Sequence, residues 1–92
     1  MQATHNEQQR RFELVIDGHV AKAEYRRDGD DTLVFHHTLV PDALRGQGLA
    51  GKVVKAGLDY ARKHNLKVVP MCSYVATYIE RHPEYQQLLS QP

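Results

Sequence analysis

The chain has 92 residues, of which 41% are hydrophobic and 25% are charged, as is typical of one soluble globular domain. Its formal net charge of +1 gives no electrostatic reason to expect a nucleic-acid or anionic-membrane partner. No apolar run approaches the ~20 residues that a transmembrane helix needs. The sequence does not indicate an oligomeric state.

Residues 1–10 are polar and lack the apolar stretch of a secretory signal. We therefore expect a flexible N-terminal tail, followed by a single domain over residues 11–92. Cys72 is the single cysteine and cannot form an internal disulfide. This favours a reducing compartment, so we predict a cytoplasmic location.

The first half of the chain has the period of β-strands. Apolar and polar residues alternate over residues 12–16 and again over residues 21–26, with the turn signal Asp17-Gly18 between them. A second turn at residues 28–31 precedes Thr32–Val40, which is rich in β-branched and aromatic residues. The sequence predicts an antiparallel meander of three strands.

After Pro41 the period changes to that of a helix. One helical stripe is formed by Ala50, Val53, Val54, Gly57, Leu58 and Ala61. Asn65 suits the left-handed position after that helix, and residues 66–71 predict a fourth strand. Ser73 is the expected cap of a second helix, which Pro83 ends. The predicted fold class is α+β.

The glycine-rich segment before the first helix matches two nucleotide-binding patterns incompletely. Gly46-x-Gly48-x-x-Gly51 is a dinucleotide fingerprint, but the acidic residue expected about twenty positions later is absent, since residues 71–73 are Met-Cys-Ser. Residues 46–52 fit most of a Walker A loop, but Val53 stands where that loop needs Ser or Thr. We consider both interpretations inferior to a third.

The third pattern is Arg/Gln-x-x-Gly-x-Gly/Ala, supplied by Arg45, Gly48 and Ala50 after a strand that ends at Val40-Pro41. Here the sequence resembles the acetyl-coenzyme A loop of the GCN5-related N-acetyltransferases. The physical chemistry suits the pattern, because successive backbone N–H groups and a helix N-terminus can hold a pyrophosphate. Arg45 adds a cation and a planar donor group.

Two downstream segments narrow the resemblance to a family of short acetyltransferase-like proteins. They are Val69–Tyr74, with the pattern Pro-x-Cys-x-Tyr, and Tyr78–Glu84, which ends in His-Pro-Glu. The resemblance covers about residues 12–89 and implies a GNAT-like fold reduced in size. It also implies an N-acetyltransferase that uses acetyl-coenzyme A as co-substrate for an unidentified amine acceptor, which we expect to be on a macromolecule. The cofactor-binding residues implied are Leu39, Val40, Arg45, Gly46, Gln47, Gly48, Leu49, Ala50 and Tyr74.

Cys72 is the candidate catalytic residue. It is expected just before a helix N-terminus, where the dipole and free N–H groups favour a thiolate. In the resembling family the matching cysteine lies near the acetyl group, which implies an acetyl-Cys72 intermediate. Two alternatives stay open: a buried cysteine that only packs, and direct transfer with Cys72 as a bystander.

The remaining residues with possible chemistry are histidines. His36 and His37 are adjacent on a strand and point to opposite faces, and no metal-ligand spacing occurs, so we predict no metal site. Alternation with Phe35 and Leu39 puts His37 on the more apolar face, where it could accept a proton. Two other functions remain: a non-catalytic coenzyme A-binding module, and an interaction domain without a cofactor.

Overall fold

A computed structural model describes residues 2–89 and shows a five-stranded sheet in the order β1-β2-β3-β4-β5. The strands are β1 Thr4–Asn6, β2 Arg11–Ile16, β3 His19–Asp28, β4 Thr32–Leu39 and β5 Lys67–Pro70. The helices are α1 Leu49–Lys63 and α2 Ser73–Arg81, with short 3-10 helices at Asp42–Leu44 and Pro83–Leu88. The predicted α+β fold, a meander followed by α-β-α, is confirmed. Residues 1 and 90–92 lie outside the described residues.

The predicted meander is formed by β2, β3 and β4, which pair antiparallel in that order. The first turn has two central residues, Asp17 and Gly18, both with positive φ, at 51° and 79°. Such a turn matches the right-handed twist of the flanking strands and brings Ile16 opposite His19. The Asp17-Gly18 turn therefore sets the register between β2 and β3.

The N-terminal segment differs from the expected flexible tail. Residues 4–6 form β1, which pairs antiparallel with β2. The imidazole of His5 stacks on the Phe12 ring with centroids 4.2 Å apart, and it shares a hydrogen bond of 2.5 Å with the Tyr25 hydroxyl. A strand of three residues is too short to show an alternating pattern in the sequence. Its one residue that packs on the core is His5, which is not counted as apolar.

Helix α1 packs across one face of the sheet with the predicted stripe. Its buried residues are Leu49, Val53, Val54, Gly57, Leu58 and Ala61, so Leu49 takes the place expected for Ala50. Asn65 ends the helix with a φ of 57°, as its position predicts. Both α2 and the C-terminal 3-10 helix contact α1 on the same side of the sheet. In one of these contacts, the hydroxyl of Tyr85 in the 3-10 helix donates a hydrogen bond to Asp59 of α1.

A β-bulge in β4 changes which side chains face the helices. Tyr25 pairs with Phe35, but the preceding residue of β3, Glu24, pairs with His37, so His36 is an extra residue. Beyond the bulge the alternation of faces is reversed. The side chain of Thr38, opposite the buried Ala23, therefore shares the helix side with Phe35.

The expectation that His37 lies on the more apolar face is wrong. His37 pairs with Glu24 on the face of the sheet opposite α1, and its side chain is exposed. Leu39, opposite Lys22, lies on that same open face. The reason is the extra residue at the bulge, which a count along the sequence cannot include.

Candidate active site

The pairing of the parallel strands β4 and β5 stops at the end of the sheet from which the chain continues into α1 and α2. Pairing of β4 with β5 runs from Thr32 opposite Lys67 to Phe35 opposite Pro70, while β4 continues to Leu39 against β3. The backbone N–H of Cys72 donates to the Phe35 carbonyl over 2.9 Å, just where the pairing ends. Beyond that bond β5 has ended, and we call the space between the end of β4 and the start of α2 the gap.

Cys72 lies in this gap. It is the cap residue of α2, with extended backbone angles of −80° and 129°, and Ser73, the predicted cap, is instead the first helical residue. The thiol is half-buried, and its sulfur lies 3.5 Å from the Thr38 hydroxyl oxygen. The cysteine is thus held at the helix N-terminus, and it is accessible in part rather than enclosed in the core.

The surroundings of the sulfur favour ionisation. Burial alone raises the pKa of the Cys72 thiol, but the Thr38 hydrogen bond and the backbone amides of Val75, Tyr74 and Thr38 more than offset it. The pKa of Cys72 therefore lies below its usual value. Because the Cys72 side chain makes no capping hydrogen bond to α2, we assign the helix contribution to the dipoles of its first amides.

The loop before α1 has the properties of an anion site. Gly46 and Gly48 have φ values of 84° and 70°, in the left-handed region that favours glycine, and a Cβ on either would meet nothing within 4 Å. No side chain caps α1 and no acidic residue occupies its first turn. Its first amides are therefore accessible to an anionic group, and this fits a pyrophosphate.

The other predicted loop residues differ in what they can offer. Arg45 is exposed and forms a 3.0 Å ion pair with Asp42, which is also exposed. Gln47 is exposed and Ala50 is half-buried. The side chain of Leu49 is 3% exposed and belongs to the core, so only its backbone amide is free to meet a ligand.

The first turns of the two helices lie against each other. A Cβ at Gly51 would be 3.6 Å from the Tyr74 hydroxyl and 3.7 Å from Tyr78. Tyr74 thus reaches from the neighbourhood of Cys72 to the start of α1, beside the glycine loop. The structure brings the loop, Tyr74 and Cys72 together along one edge of the sheet.

Three apolar side chains stay exposed at the end of β4 and around the start of α2. Leu39 at the end of β4 is 42% exposed, Met71 is 66% exposed and Tyr74 is 42% exposed. Val40, next to Leu39, is half-buried and packs against the core.

Sequence reasoning missed Thr38 and Met71. Thr38 reaches Cys72 only because of the bulge at His36, and a bulge has no signal in a single sequence. Met71 was counted as an apolar strand residue, but β5 ends at Pro70 and leaves it exposed. Within residues 2–89 there is no cluster of three or more potential metal ligands, and no helix is long and apolar enough to cross a membrane.

Comparison with known proteins agrees with this geometry. A family model described as GCN5-related N-acetyl-transferase matches residues 11–88. Protein NATD1 of Xenopus tropicalis is 34% identical over 86 residues, which cover 91% of this chain and 79% of that protein. Protein NATD1 of Homo sapiens is 34% identical over 86 residues, covering 91% of this chain and 76% of that protein.

A solved structure shares the fold. The NMR solution structure of a GCN5-like protein from Staphylococcus aureus has a TM-score of 0.75 and 29% sequence identity, covering 99% of this chain and 89% of that one. The fold is therefore that of a small α+β domain of the acetyltransferase type. The chain belongs to the GCN5-related N-acetyl-transferase family, as its sequence predicts.

Proposed function

We propose that the chain transfers an acetyl group from acetyl-coenzyme A to an amine, with Cys72 as the nucleophile. The observation that carries the proposal is the position of the Cys72 thiol in the gap between the end of β4 and the start of α2, beside Thr38. Its lowered pKa increases the fraction of thiolate, which is the reactive form of cysteine. A thiol that only packed in the core would have neither partial exposure nor this environment.

Binding is assigned to the glycine loop and its neighbours. The backbone amides of residues 46–50 and the N-terminus of α1 hold the pyrophosphate, and Arg45 adds a positive charge. The backbone of Leu39 and Val40, where β4 no longer has β5 beside it, offers hydrogen bonds to the pantetheine arm. Tyr74 lies between the loop and Cys72 and contacts the same ligand along its length.

The proposed chemistry has two steps. The Cys72 thiolate attacks the thioester carbonyl, a carbon–sulfur bond forms at Cys72, and the bond to coenzyme A breaks, leaving coenzyme A as a thiolate that takes up a proton. Exchange between a thiol and a thioester is nearly balanced in free energy, so acetyl-Cys72 is a reasonable intermediate. The neutral amine then attacks acetyl-Cys72, the carbon–sulfur bond breaks, and the amine proton restores the thiol.

The acceptor is assigned as an amine on a large molecule, because a chain of 92 residues has few elements left to enclose a small acceptor beside the gap. His37 does not serve as the base in this proposal, since it lies on the other face of the sheet. A free thiol nucleophile requires a reducing compartment, and we assign the reaction to the cytoplasm.

Intact-mass spectrometry tests the nucleophile. Incubation with acetyl-coenzyme A is expected to add one acetyl group to the wild-type chain and none to Cys72→Ala. The Cys72→Ser variant is the matched control, because it keeps the shape and removes the thiolate. An amine acetylated at the wild-type rate by Cys72→Ala would contradict the covalent route and favour direct transfer.

Thermal denaturation with coenzyme A tests binding separately. A ligand at ~100 times its dissociation constant stabilises the folded state by about 2.7 kcal/mol. A melting temperature that rises with coenzyme A, without acetylation of any amine, would identify a non-catalytic binding module, which the loop geometry alone also fits. An unchanged melting temperature across a wide titration would contradict both functions.

A further inference from the structure

We propose that Thr38 is a positioning residue for the nucleophile: its hydroxyl holds the sulfur of Cys72 in the gap and donates a hydrogen bond to the thiolate. The inference rests on the proposed function, because it concerns the residue that this function uses. It adds a second side chain, from another element of the fold, to the chemistry at Cys72. Thr38 acts through Cys72 and is not itself the nucleophile.

The bulge in β4 creates this contact. In a regular strand His37 would share the helix side with Phe35, but the extra residue His36 gives that side to Thr38. Thr38 lies beyond Phe35, the last residue of β4 that pairs with β5, so its side chain faces the gap rather than a strand. The sulfur of Cys72 lies 3.5 Å from its hydroxyl oxygen.

The hydroxyl of Thr38 has few other partners. Its cross-strand neighbour is Ala23, which is fully buried and has no polar side-chain group. Among residues 2–89, the one side-chain hydrogen bond of Thr38 is the bond with Cys72. The threonine side chain is branched at Cβ, and its restricted rotation lowers the entropy lost in holding the hydroxyl at the sulfur.

A hydroxyl can serve both protonation states of the sulfur. In the neutral state the thiol donates its proton to the Thr38 oxygen, and in the ionised state the Thr38 O–H turns and donates to the thiolate. Hydrogen bonding to the charged form stabilises that form. The lowered pKa of Cys72 is consistent with this, since after burial the Thr38 side chain is its strongest influence.

The backbone amides of Val75 and Tyr74 also favour the thiolate, but no other side chain in the described part of the chain is among the groups that lower the pKa of Cys72. From α2, backbone amides act on Cys72, and Tyr74 is the titratable side chain of that turn. From β4, the titratable neighbour His37 points to the opposite face of the sheet. Lys67, the titratable residue of β5, lies at the far end of that strand, opposite Thr32.

Alkylation by iodoacetamide tests the inference without acetyl-coenzyme A. Cys72 is the single cysteine, so the rate of alkylation against pH reports its thiolate directly. Thr38→Val is expected to move this profile to higher pH and to slow alkylation near neutral pH by about tenfold, because the charged thiolate loses a hydrogen bond. The rates of the two proteins converge at high pH. Thr38→Ser, which keeps the hydroxyl, is expected to retain most of the wild-type profile.

Two controls separate this role from a structural one. Circular dichroism shows whether Thr38→Val is folded; if it is not, Thr38→Ala is compared with Thr38→Ser in the same assay. A folded Val or Ala variant with the wild-type pH profile would overturn the inference. The proposed function fails separately, if acetyl-coenzyme A does not acetylate Cys72 while iodoacetamide still shows the Thr38 effect.

Discussion

Gly57 lies where the backbone of α1 packs closely against Phe35 of the sheet, and its replacement by alanine probes that packing. A Cβ at this position would stand 2.8 Å from two carbons of the Phe35 ring and 3.2 Å from Phe12. Both rings are almost fully buried, at 1% and 2% exposure, so neither is free to move into solvent. Gly57→Ala therefore forces α1 away from the sheet or forces the rings out of their positions.

Two opposing effects decide how much Gly57→Ala changes the free energy of unfolding. Alanine in a helix interior is favoured over glycine by about 1 kcal/mol. Carbon atoms pack at about 3.5–4.0 Å, so the new methyl group requires a shift of roughly 0.7–1 Å, and over-packing a core costs about 1–3 kcal/mol. We expect a net loss of about 1 kcal/mol, which lowers the melting temperature of a domain of this size by about 4–8 °C.

The matched control is Gly51→Ala in the same helix. There a Cβ would be 3.6 Å from Tyr74 and 3.7 Å from Tyr78, which is ordinary van der Waals contact. The helical preference is then unopposed, and the variant is expected to be as stable as the wild type or more stable, by up to about 1 kcal/mol. The stability of both variants is measured by thermal and urea unfolding, monitored by circular dichroism. A Gly57→Ala variant as stable as Gly51→Ala would refute the close approach of α1 to Phe35.

Two further predictions concern stability. Tyr85 is 1% exposed and donates a 2.5 Å hydrogen bond to Asp59, and burial followed by this carboxylate raises the pKa of Tyr85 to about 12. Asp59 keeps its ion pairs with Lys55 and Arg62, so Tyr85→Phe is expected to cost about 1.5 kcal/mol in urea unfolding, and a loss below about 0.5 kcal/mol would contradict the assignment. Burial lowers the pKa of His5 from 6.5, so below about pH 6.5 the unfolded chain binds a proton that the folded chain resists. Stability should fall as the pH drops from about 6.5 through the lower folded-state pKa, and this fall should be smaller in His5→Phe; equal pH dependence in the two proteins would exclude His5 as its source.

Much of the architecture was predictable because it depends on neighbours along the chain. Alternation predicts β2, β3 and β4, and the Asp17-Gly18 turn predicts the first hairpin, since positive φ is accessible to these residues. The 3.6-residue period predicts α1 and its buried stripe. The glycine loop was predictable for the same reason, because Gly46 and Gly48 adopt left-handed angles that glycine takes more readily than other residues.

The site was less predictable, because its contacts join segments distant in sequence. Tyr74 was predicted from a resemblance, but its approach to Gly51 depends on how α2 packs against α1. Cys72 was predicted beside a helix start, but its role as the cap and its partial burial follow from where β5 ends. No local pattern contains the distance between two helices.

By itself, the sequence determined the fold class, the order of the elements after β1, the acetyltransferase family and the position of the glycine loop along the chain. Only the tertiary structure decided that β1 joins the sheet, that His37 faces away from the helices and that Thr38 meets Cys72. The physical reason is that the register of a strand is set by its partners. One extra residue at His36 exchanges the two faces of β4 beyond it, and the pairing that accommodates this residue is made with β3.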